Sequence, residues 1–325
     1  MSDKRNLTQA LVLFGGVLLV ASAAIMIRHA QRLGVPSPAI AAGRLGLSAL
    51  ILLPIAFVRA RPELRRLRRR DVRLGICSGI FLALHFSAWI KSLEYTSVAS
   101  SSALVATNPL WIALAALLLF RQRPSALTWL GVLITIGGSV LIAISDSDGA
   151  GGSHALLGDG LALLGALAGS GYFLVGAALQ RKLSTLAYIW LVYSSAAIIL
   201  ILVALGTGAW RFGQAGPGYP LTAYLLLLGL ALGPQLLGHT AFNWSLRHLS
   251  ATFVAIATLG EPIGAALLAL ILFRQTFQPI QLVGFVVLLT GIAVAARGER
   301  GTSLDLKARA DAITEVNSGE LPLTR

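Results

Sequence analysis

Two stretches, PLWIALAALLLFRQ from Pro109 to Gln122 and PIGAALLALILFRQ from Pro262 to Gln275, decide the fold of this chain. They stand 153 residues apart and are identical at nine of fourteen positions, including the closing Leu-Phe-Arg-Gln. Further identities at the same offset are Ser92 with Ser245, Ser97 with Ser250, Gly131 with Gly284, and Gly138 with Gly291. Leu and Ala match often by chance in apolar segments, but Pro, Phe-Arg-Gln and Gly do not. The chain therefore contains an internal repeat.

The composition of the whole chain indicates a membrane protein. Of the 325 residues, 56% are hydrophobic and 12% are charged, whereas soluble domains carry about 25% charged residues. The charges cluster between apolar runs of the length, about 20 residues, that a helix needs to cross a bilayer. The runs predict an all-α integral membrane protein with ten transmembrane helices, at 9–27, 38–58, 74–93, 98–120, 127–145, 156–179, 184–206, 221–243, 251–273 and 279–296.

The repeat divides these helices into two sets of five. Residues 9–145 form the first repeat and residues 156–296 the second, joined by a linker loop at 146–155. Residues 1–8 precede the first repeat, and a polar tail at 297–325, predicted to be disordered, follows the second. Because five is odd, the second repeat enters the membrane inverted relative to the first. Inverted repeats are typical of secondary transporters, in which two similar halves rock about a central site.

The distribution of basic residues predicts the orientation. With the N-terminus inside, 20 Lys and Arg side chains fall on the cytoplasmic side and five on the opposite side, which places both termini in the cytoplasm. The net charge of +13 is therefore attributed to loops that fix topology, and nucleic acid is not an expected partner. The Arg-rich segment 59–73 has the same interpretation, with anionic lipid headgroups as its alternative. Ala21-Ser22-Ala23 resembles a signal cleavage site, but the long apolar run favours a retained first helix.

The chain resembles the EamA-like branch of the drug/metabolite transporter superfamily. The resemblance rests on Arg44 in the second helix, on SLEYTSVASSSALVATNPLW at 92–111, on GHTAFNWSLRHLSATFVAIATLGEPIGAALLA at 238–269, and above all on Glu261-Pro262. It implies a multi-pass carrier of the bacterial inner membrane with a central cavity and alternating access, often an exporter of amino acids or similar metabolites. A small-molecule substrate and membrane lipids are the partners implied, no cofactor is expected, and the carrier is a monomer or a homodimer.

Ionisable side chains inside membrane helices are costly and normally face a cavity or a partner. Arg44 has two competing interpretations: it binds a substrate carboxylate or a counter-charge, or it extends to the outer surface and anchors its helix. Glu261 corresponds to Asn108 at the 153-residue offset, and each precedes a proline. A carboxylate beside a helix break is a candidate site for a coupling proton or cation, and a structural kink with Glu261 paired to a basic neighbour is the alternative.

Further polar and aromatic residues are candidates for the cavity lining. His85 and Trp89 share one face of the third helix, and Gln235, His239 and Asn243 form a polar stripe on the eighth. These residues line a cavity or make hydrogen bonds between helices. Trp111 and Tyr172 are candidates for stacking on a substrate, with packing as the alternative.

The sequence fits three other classes of protein less well than it fits a secondary carrier. A membrane-embedded enzyme using His85, His239 and Glu261 lacks a nucleophile–base or metal-binding motif, and the single Cys77 forms no metal-type spacing. A channel lacks charged rings or a filter-like loop. ATP-driven transport by this chain alone is excluded because no GxxxxGK[ST] loop is present. A multidrug or cation exporter of the same fold is the alternative within the carrier class.

Overall fold

The structure is a computed structural model that describes residues 2–119, 121, 125–147, 154–210, 219–249, 254, 257–258, 260–274, 276–295 and 297–298. All regular structure within these ranges is helical, which confirms the predicted all-α class. Six predicted segments lie partly outside the described residues: residues 1–8, the span 98–120, the linker 146–155, the spans 251–273 and 279–296, and the tail 297–325.

The described part of the chain contains fourteen α-helices and two π-helical segments. The α-helices are α1 (Ser2–Ala21), α2 (Ala23–Arg32), α3 (Ser37–Ile55), α4 (Arg61–Arg65), α5 (Arg69–Ser92), α6 (Val98–Val105), α7 (Asn108–Leu118), α8 (Ala126–Ser147), α9 (Ala155–Gln180), α10 (Thr185–Gly206), α11 (Leu221–Leu230), α12 (Thr240–Leu246), α13 (Gly260–Phe273) and α14 (Pro279–Ala295). The π-helical segments are Ala56–Ala60, between α3 and α4, and Ala231–His239, between α11 and α12.

Seven helical stretches in the described residues are long and apolar enough to cross a bilayer. They are Leu11–Arg32, Ser37–Arg65, Arg69–Ser92, Val98–Ala115, Ala155–Gln180, Thr185–Gly206 and Leu221–Leu246. Three shorter apolar helices are Ala126–Ile142, Gly260–Phe273 and Pro279–Ala295. Large apolar side chains such as Leu11, Phe14 and Leu18 lie on one face of α1 and are 56–63% exposed, as expected of a face that contacts lipid. The chain is a multi-pass membrane protein.

The structure corrects the prediction that residues 59–73 form a loop. The second predicted span continues through the π-helical segment Ala56–Ala60 into α4, and α5 begins at Arg69. Only residues 66–68 separate the two helices. Arginine is a good helix former, so the helices extend beyond their apolar parts and carry the basic side chains with them.

Two prolines lie in the first turns of helices that begin near the centre of the molecule. The predicted span 98–120 is divided at residues 106–107 into α6 and α7, and Pro109 is the second residue of α7. A proline in the first turn of a helix removes an N–H that would have had no intrahelical partner. Pro262 holds a similar place in the first turn of α13. Asn108 and Glu261 are therefore presented at the beginnings of helices.

Equivalent turns close α7 and α13. Arg121 and Arg274, which stand 153 residues apart, have φ angles of 52° and 53°. This left-handed conformation is uncommon for residues other than glycine and is typical of the residue that ends a helix. The arginine of the repeated Phe-Arg-Gln therefore has the same backbone conformation in both copies.

Helices α8 and α14 pack through the glycines that the repeat predicts. Gly131 lies against Ala295, and Gly138 lies against Leu288. Because a higher number on α8 meets a lower number on α14, the two helices are antiparallel. When each residue of these contacts is replaced by its equivalent in the other repeat, the result is Gly284 against Ile142 and Gly291 against Thr135. Both of these contacts are also present. The contacts between α8 and α14 are therefore reciprocal.

Candidate functional site

A small cavity lies where both repeats meet. It is lined by Val20, His85, Trp89, Val105, Asn108, Gly169, Tyr172, Phe173, His239, Phe242, Thr258 and Glu261. Six of the ten candidate residues from the sequence are in this lining: His85, Trp89, Asn108, Tyr172, His239 and Glu261. Its volume of about 30 Å³ is far below the roughly 300–1,000 Å³ of typical ligand pockets. The cavity in this conformation has room for water and not for a metabolite.

The lining is arranged in pairs that the repeat relates. Eight of its residues stand 153 positions from one another, as Val20 with Phe173, Trp89 with Phe242, Val105 with Thr258, and Asn108 with Glu261. The positions are equivalent, but the side chains are not. The second repeat contributes the carboxyl of Glu261 and the hydroxyl of Thr258 where the first has an amide and a methyl group. Equivalent positions of the two repeats therefore contribute different chemical groups to the cavity.

The two histidines lie beside each other on one wall of the cavity. The His85 ring stacks on Trp89, with centroids 5.9 Å apart, and lies 6.5 Å from the His239 ring. The Nδ1 atom of His85 is 2.8 Å from the carbonyl oxygen of Gly165 on α9, so this ring is held in place by backbone. The Nδ1 atom of His239 is buried and has no hydrogen-bond partner among the described residues. His239 thus has an unused nitrogen beside the cavity.

Asn108 and Glu261 differ in how they are held. The Ser170 hydroxyl lies 3.1 Å from the Asn108 backbone oxygen and 3.2 Å from its Oδ1 atom, so Asn108 is fixed against α9. Glu261 is 9% exposed and makes no ion pair with any residue that the structure describes. The structure therefore does not support the alternative in which Glu261 is paired to a basic neighbour.

Arg44 is fully buried, with none of its surface exposed. This burial rules out the interpretation that its side chain extends to the membrane surface. Its Nε atom donates a hydrogen bond of 2.8 Å to Oε1 of Gln235, and its guanidinium lies 4.2 Å from the centre of the Phe86 ring. Neither Nη atom has a hydrogen-bond partner in the described part of the chain. A buried guanidinium with free donors is costly unless something accepts from it.

Gln235 and Asn243 belong to a polar layer beside the cavity and not to its lining. The hydroxyl of Tyr172 donates to Oδ1 of Asn243 at 2.6 Å, and Nδ2 of Asn243 donates to the hydroxyl of Tyr193 at 3.1 Å. The predicted stripe of Gln235, His239 and Asn243 is therefore divided, with only His239 facing the cavity. Pro234 lacks an N–H and lies in the π-helical segment, whose wider turns change the direction in which these side chains point.

Trp111 lies outside the cavity lining. Its indole nitrogen donates to the hydroxyl of Thr107, four residues earlier, at 3.2 Å, so the side chain turns back along its own helix. This position fits the alternative in which Trp111 is a packing residue. Sequence reasoning also missed three polar residues. Thr258 lies three positions before Glu261, and Ser170 lies between Gly169 and Tyr172. The sequence signal for Tyr193 was no more than a hydroxyl in an apolar helix, which normally needs a hydrogen-bond partner.

Comparisons with known proteins agree with this architecture. The model of the EamA-like transporter family matches residues 7–144 and again residues 156–297. An uncharacterized transporter of Clostridium kluyveri is 21% identical over 248 residues, covering 75% of this chain and 78% of the relative. An uncharacterized transporter of Synechocystis sp. is 24% identical over 217 residues, covering 66% of this chain and 64% of the relative.

A solved crystal structure has the same fold as this chain. It superposes with a TM-score of 0.61 at 18% identity and covers 90% of this chain and 98% of its own. The similarity to this structure concerns the fold alone. The family model, in contrast, matches nearly all of the membrane-embedded part of the sequence, in two copies. The chain belongs to the EamA-like transporter family, within the drug/metabolite transporter superfamily.

Proposed function

We propose that this protein is a secondary carrier that exports a small carboxylate-bearing metabolite, such as an amino acid, by alternating access between two inverted repeats of five helices. Membership of a transporter family establishes the coarse function, membrane transport. The relatives are named as transporters, which favours transport over the alternative of an enzyme. The observation that carries the finer proposal is the cavity between the repeats, which pairs Asn108 with Glu261.

The packing of α8 against α14 supports inverted repeats. Reciprocal contacts, in which Gly131 meets Ala295 and Gly284 meets Ile142, are those of a two-fold interface. Because the two helices are antiparallel, the local two-fold axis that relates them is perpendicular to the helix axes. For helices that cross a bilayer, such an axis lies in the membrane plane, as in transporters built from inverted repeats. The ten-helix count follows if the three shorter apolar helices also cross.

Arg44 supports a substrate with a carboxylate. The buried side-chain nitrogens that lack partners in the described residues include both Nη atoms of Arg44, Nε2 of Gln235 and Nε1 of Trp89. All of these are hydrogen-bond donors, and a carboxylate is a group that only accepts. An Arg fork binds a carboxylate with two parallel hydrogen bonds. We infer that the substrate carboxylate bonds to Arg44 when the cavity enlarges to admit it.

Glu261 is the proposed site of the coupling proton. It faces the cavity, and Arg44 is close enough to attract it without forming an ion pair. A substrate carboxylate arriving at Arg44 would remove that attraction and favour a protonated Glu261. Proton and substrate binding would then depend on each other through one arginine, since an ion shifts a conformational equilibrium only through differential affinity.

Contacts at the two ends of the bundle support alternating access. At one end, Arg28 donates to the backbone oxygen of Thr96, and the hydroxyl of Thr96 donates to Asp159 at 2.8 Å. At the other end, Glu63 accepts bonds of 2.7 and 2.6 Å from the backbone N–H and the hydroxyl of Ser184. Each set joins elements of both repeats. With the cavity too small for a substrate, we infer that one set must open at a time.

The test of the coupling role is transport by wild type and Glu261→Gln in proteoliposomes, with and without a pH gradient. The mutant mimics the protonated carboxyl, so we expect it to reach the membrane, bind substrate and exchange labelled for unlabelled substrate. We expect it to lose the pH dependence of transport and all accumulation against a gradient. Glu315→Gln, in the tail that the sequence predicts to be disordered, removes the same charge and serves as the control. Accumulation left intact in Glu261→Gln would refute the coupling role.

A further inference from the structure

A second cavity lies far from the central one, at the end of the second span. It is lined by Leu53, Ala56, Phe57, Arg61, Leu64, Arg65 and Trp190. Its volume of about 340 Å³ lies in the range of ligand pockets, roughly 300–1,000 Å³. The walls are the end of α3, the π-helical segment Ala56–Ala60, α4 and one side chain of α10. π-helical turns are frequent at functional sites, and the central cavity uses none of these residues.

Two arginines give this cavity its charge. Arg61 and Arg65 are both exposed, and neither forms an ion pair with a described residue. The Arg61 guanidinium lies 4.7 Å from the centre of the Phe57 ring, which holds it at the cavity wall. The nearest carboxyl along the chain, Glu63, is directed to the beginning of α10, where it accepts two hydrogen bonds from Ser184. The arginine donors are therefore available to an anion.

Trp190 adds a donor at the inner wall. Its Nε1 atom is buried and has no acceptor among the residues that the structure describes. Tryptophan is enriched where membrane and water meet because its ring is apolar and its N–H needs a polar partner. A ligand with an oxygen near Trp190 and a negative charge near the arginines would satisfy both groups.

The other walls select a ligand that is partly apolar. Leu53 and Phe57 are 44% and 59% exposed, and the adjacent Val58 is 76% exposed. They lie at the end of an apolar helix that continues into a basic segment. In a bilayer such side chains contact acyl chains, so a ligand that carries an acyl chain can contact both the apolar and the basic walls of the cavity. Basic pockets beside membrane helices on the cytoplasmic side bind anionic headgroups.

We propose that this cavity is a binding site for an anionic glycerophospholipid of the cytoplasmic leaflet. The phosphodiester bonds to the Arg61 and Arg65 guanidinium groups, whose planar forks match phosphate oxygens. A glycerol or ester oxygen accepts from Trp190, and one acyl chain lies along Leu53 and Phe57. The site does not depend on the substrate or the coupling ion of the central cavity.

The test is lipid retention by the purified full-length protein. Protein is reconstituted in nanodiscs of phosphatidylcholine with or without phosphatidylglycerol, released by detergent, and analysed by native mass spectrometry for bound lipid and by thermal unfolding. We expect wild type to keep a phosphatidylglycerol and to gain thermal stability from it, with no gain from phosphatidylcholine alone. Soluble glycerol phosphate is the third arm. Equal stabilisation by it would show a soluble-anion site and overturn the lipid assignment.

Matched variants separate this site from the general charge of the Arg-rich segment. Arg61→Gln/Arg65→Gln removes two charges from the cavity, and Arg69→Gln/Arg70→Gln removes two exposed charges outside it. We expect only the first pair to lose the bound lipid and its stabilisation. Trp190→Phe removes one N–H while keeping an aromatic ring, and we expect it to weaken retention in a folded protein. Equal losses in the two Arg pairs would mean non-specific attraction and overturn the proposal.

Discussion

Arg44 and Glu261 are a cation and a carboxyl that the fold buries without joining them in an ion pair in the described residues. The sequence could predict Glu261 because it precedes a proline and corresponds to Asn108 across the repeat. It could also single out Arg44, because a charge within an apolar span is costly. It could not predict the bond from Arg44 to Gln235, since that contact joins residues 191 positions apart. Pairings of this kind depend on how the helices are arranged in three dimensions.

We predict that Arg44→Lys will impair transport far more than it reduces the amount of protein in the membrane. Lysine keeps the charge but lacks the planar fork that binds a carboxylate through two bonds. Loss of one charge-assisted hydrogen bond, worth about 1.5–3 kcal/mol, should lower kcat/KM by roughly ten- to a hundredfold. Transport assays normalised to membrane abundance measure this effect.

The control for Arg44→Lys is Arg73→Lys, an exposed position in the first turns of α5. We expect Arg73→Lys to transport like wild type. If Arg44→Lys loses abundance and transport in equal proportion, then Arg44 has a structural role and the proposed carboxylate site is wrong.

At the scale of helices, the sequence predicted most spans but not their internal geometry. Apolar length was sufficient to place α9 and α10 within one residue of their observed bounds. The π-helical segment Ala231–His239 was not predicted, because Pro234 changes the hydrogen-bond pattern without interrupting the apolar run. That segment divides the predicted polar stripe. The repeat also identified Gly138 and Gly291, although which helix each one faces could not be read from the sequence.

We predict that Gly138→Ala will destabilise the protein by about 1–3 kcal/mol, the usual cost of overpacking a tight interface. An added methyl group would collide with the backbone of Leu288 on α14, and a backbone cannot move aside as a flexible side chain can. The neighbouring Gly137 faces open space, with nothing within 4 Å of an added methyl group. Gly137→Ala should therefore be neutral or stabilising by about 0.5–1 kcal/mol.

Thermal unfolding of both variants in detergent measures the difference between Gly138→Ala and Gly137→Ala. Equal stability of the two variants would contradict the close packing of α8 against α14. It would also remove the support that this packing gives to inverted repeats.

At the scale of the whole molecule, two similar halves enclose a cavity whose paired positions carry different side chains. The repeat in the sequence predicted this pairing for Asn108 and Glu261, because a constant offset implies equivalent places in equivalent folds. It could not predict the size of the cavity, which depends on the packing of every helix around it. The described contacts also join segments that were predicted to share a side, such as Lys182 with Asp71 at 3.3 Å.

We predict that both termini lie in the cytoplasm. Single cysteines introduced at Arg66 and Lys307, in a protein with Cys77 replaced, should be protected from an impermeant thiol reagent in intact cells. Cysteines at Gly149 and Gly216 should be labelled. The expectation rests on the excess of basic residues on one side, which sets orientation during insertion. Termini found on opposite sides would defeat the ten-helix arrangement.

The small size of the central cavity has a consequence for the cell. A space of about 30 Å³ holds water but not a metabolite, so the protein in this conformation offers no continuous path for solutes. For the proposed exporter, this means that copies held in this conformation do not release the metabolite from the cell. In the proposed mechanism, each transport cycle therefore requires the helices around the cavity to separate.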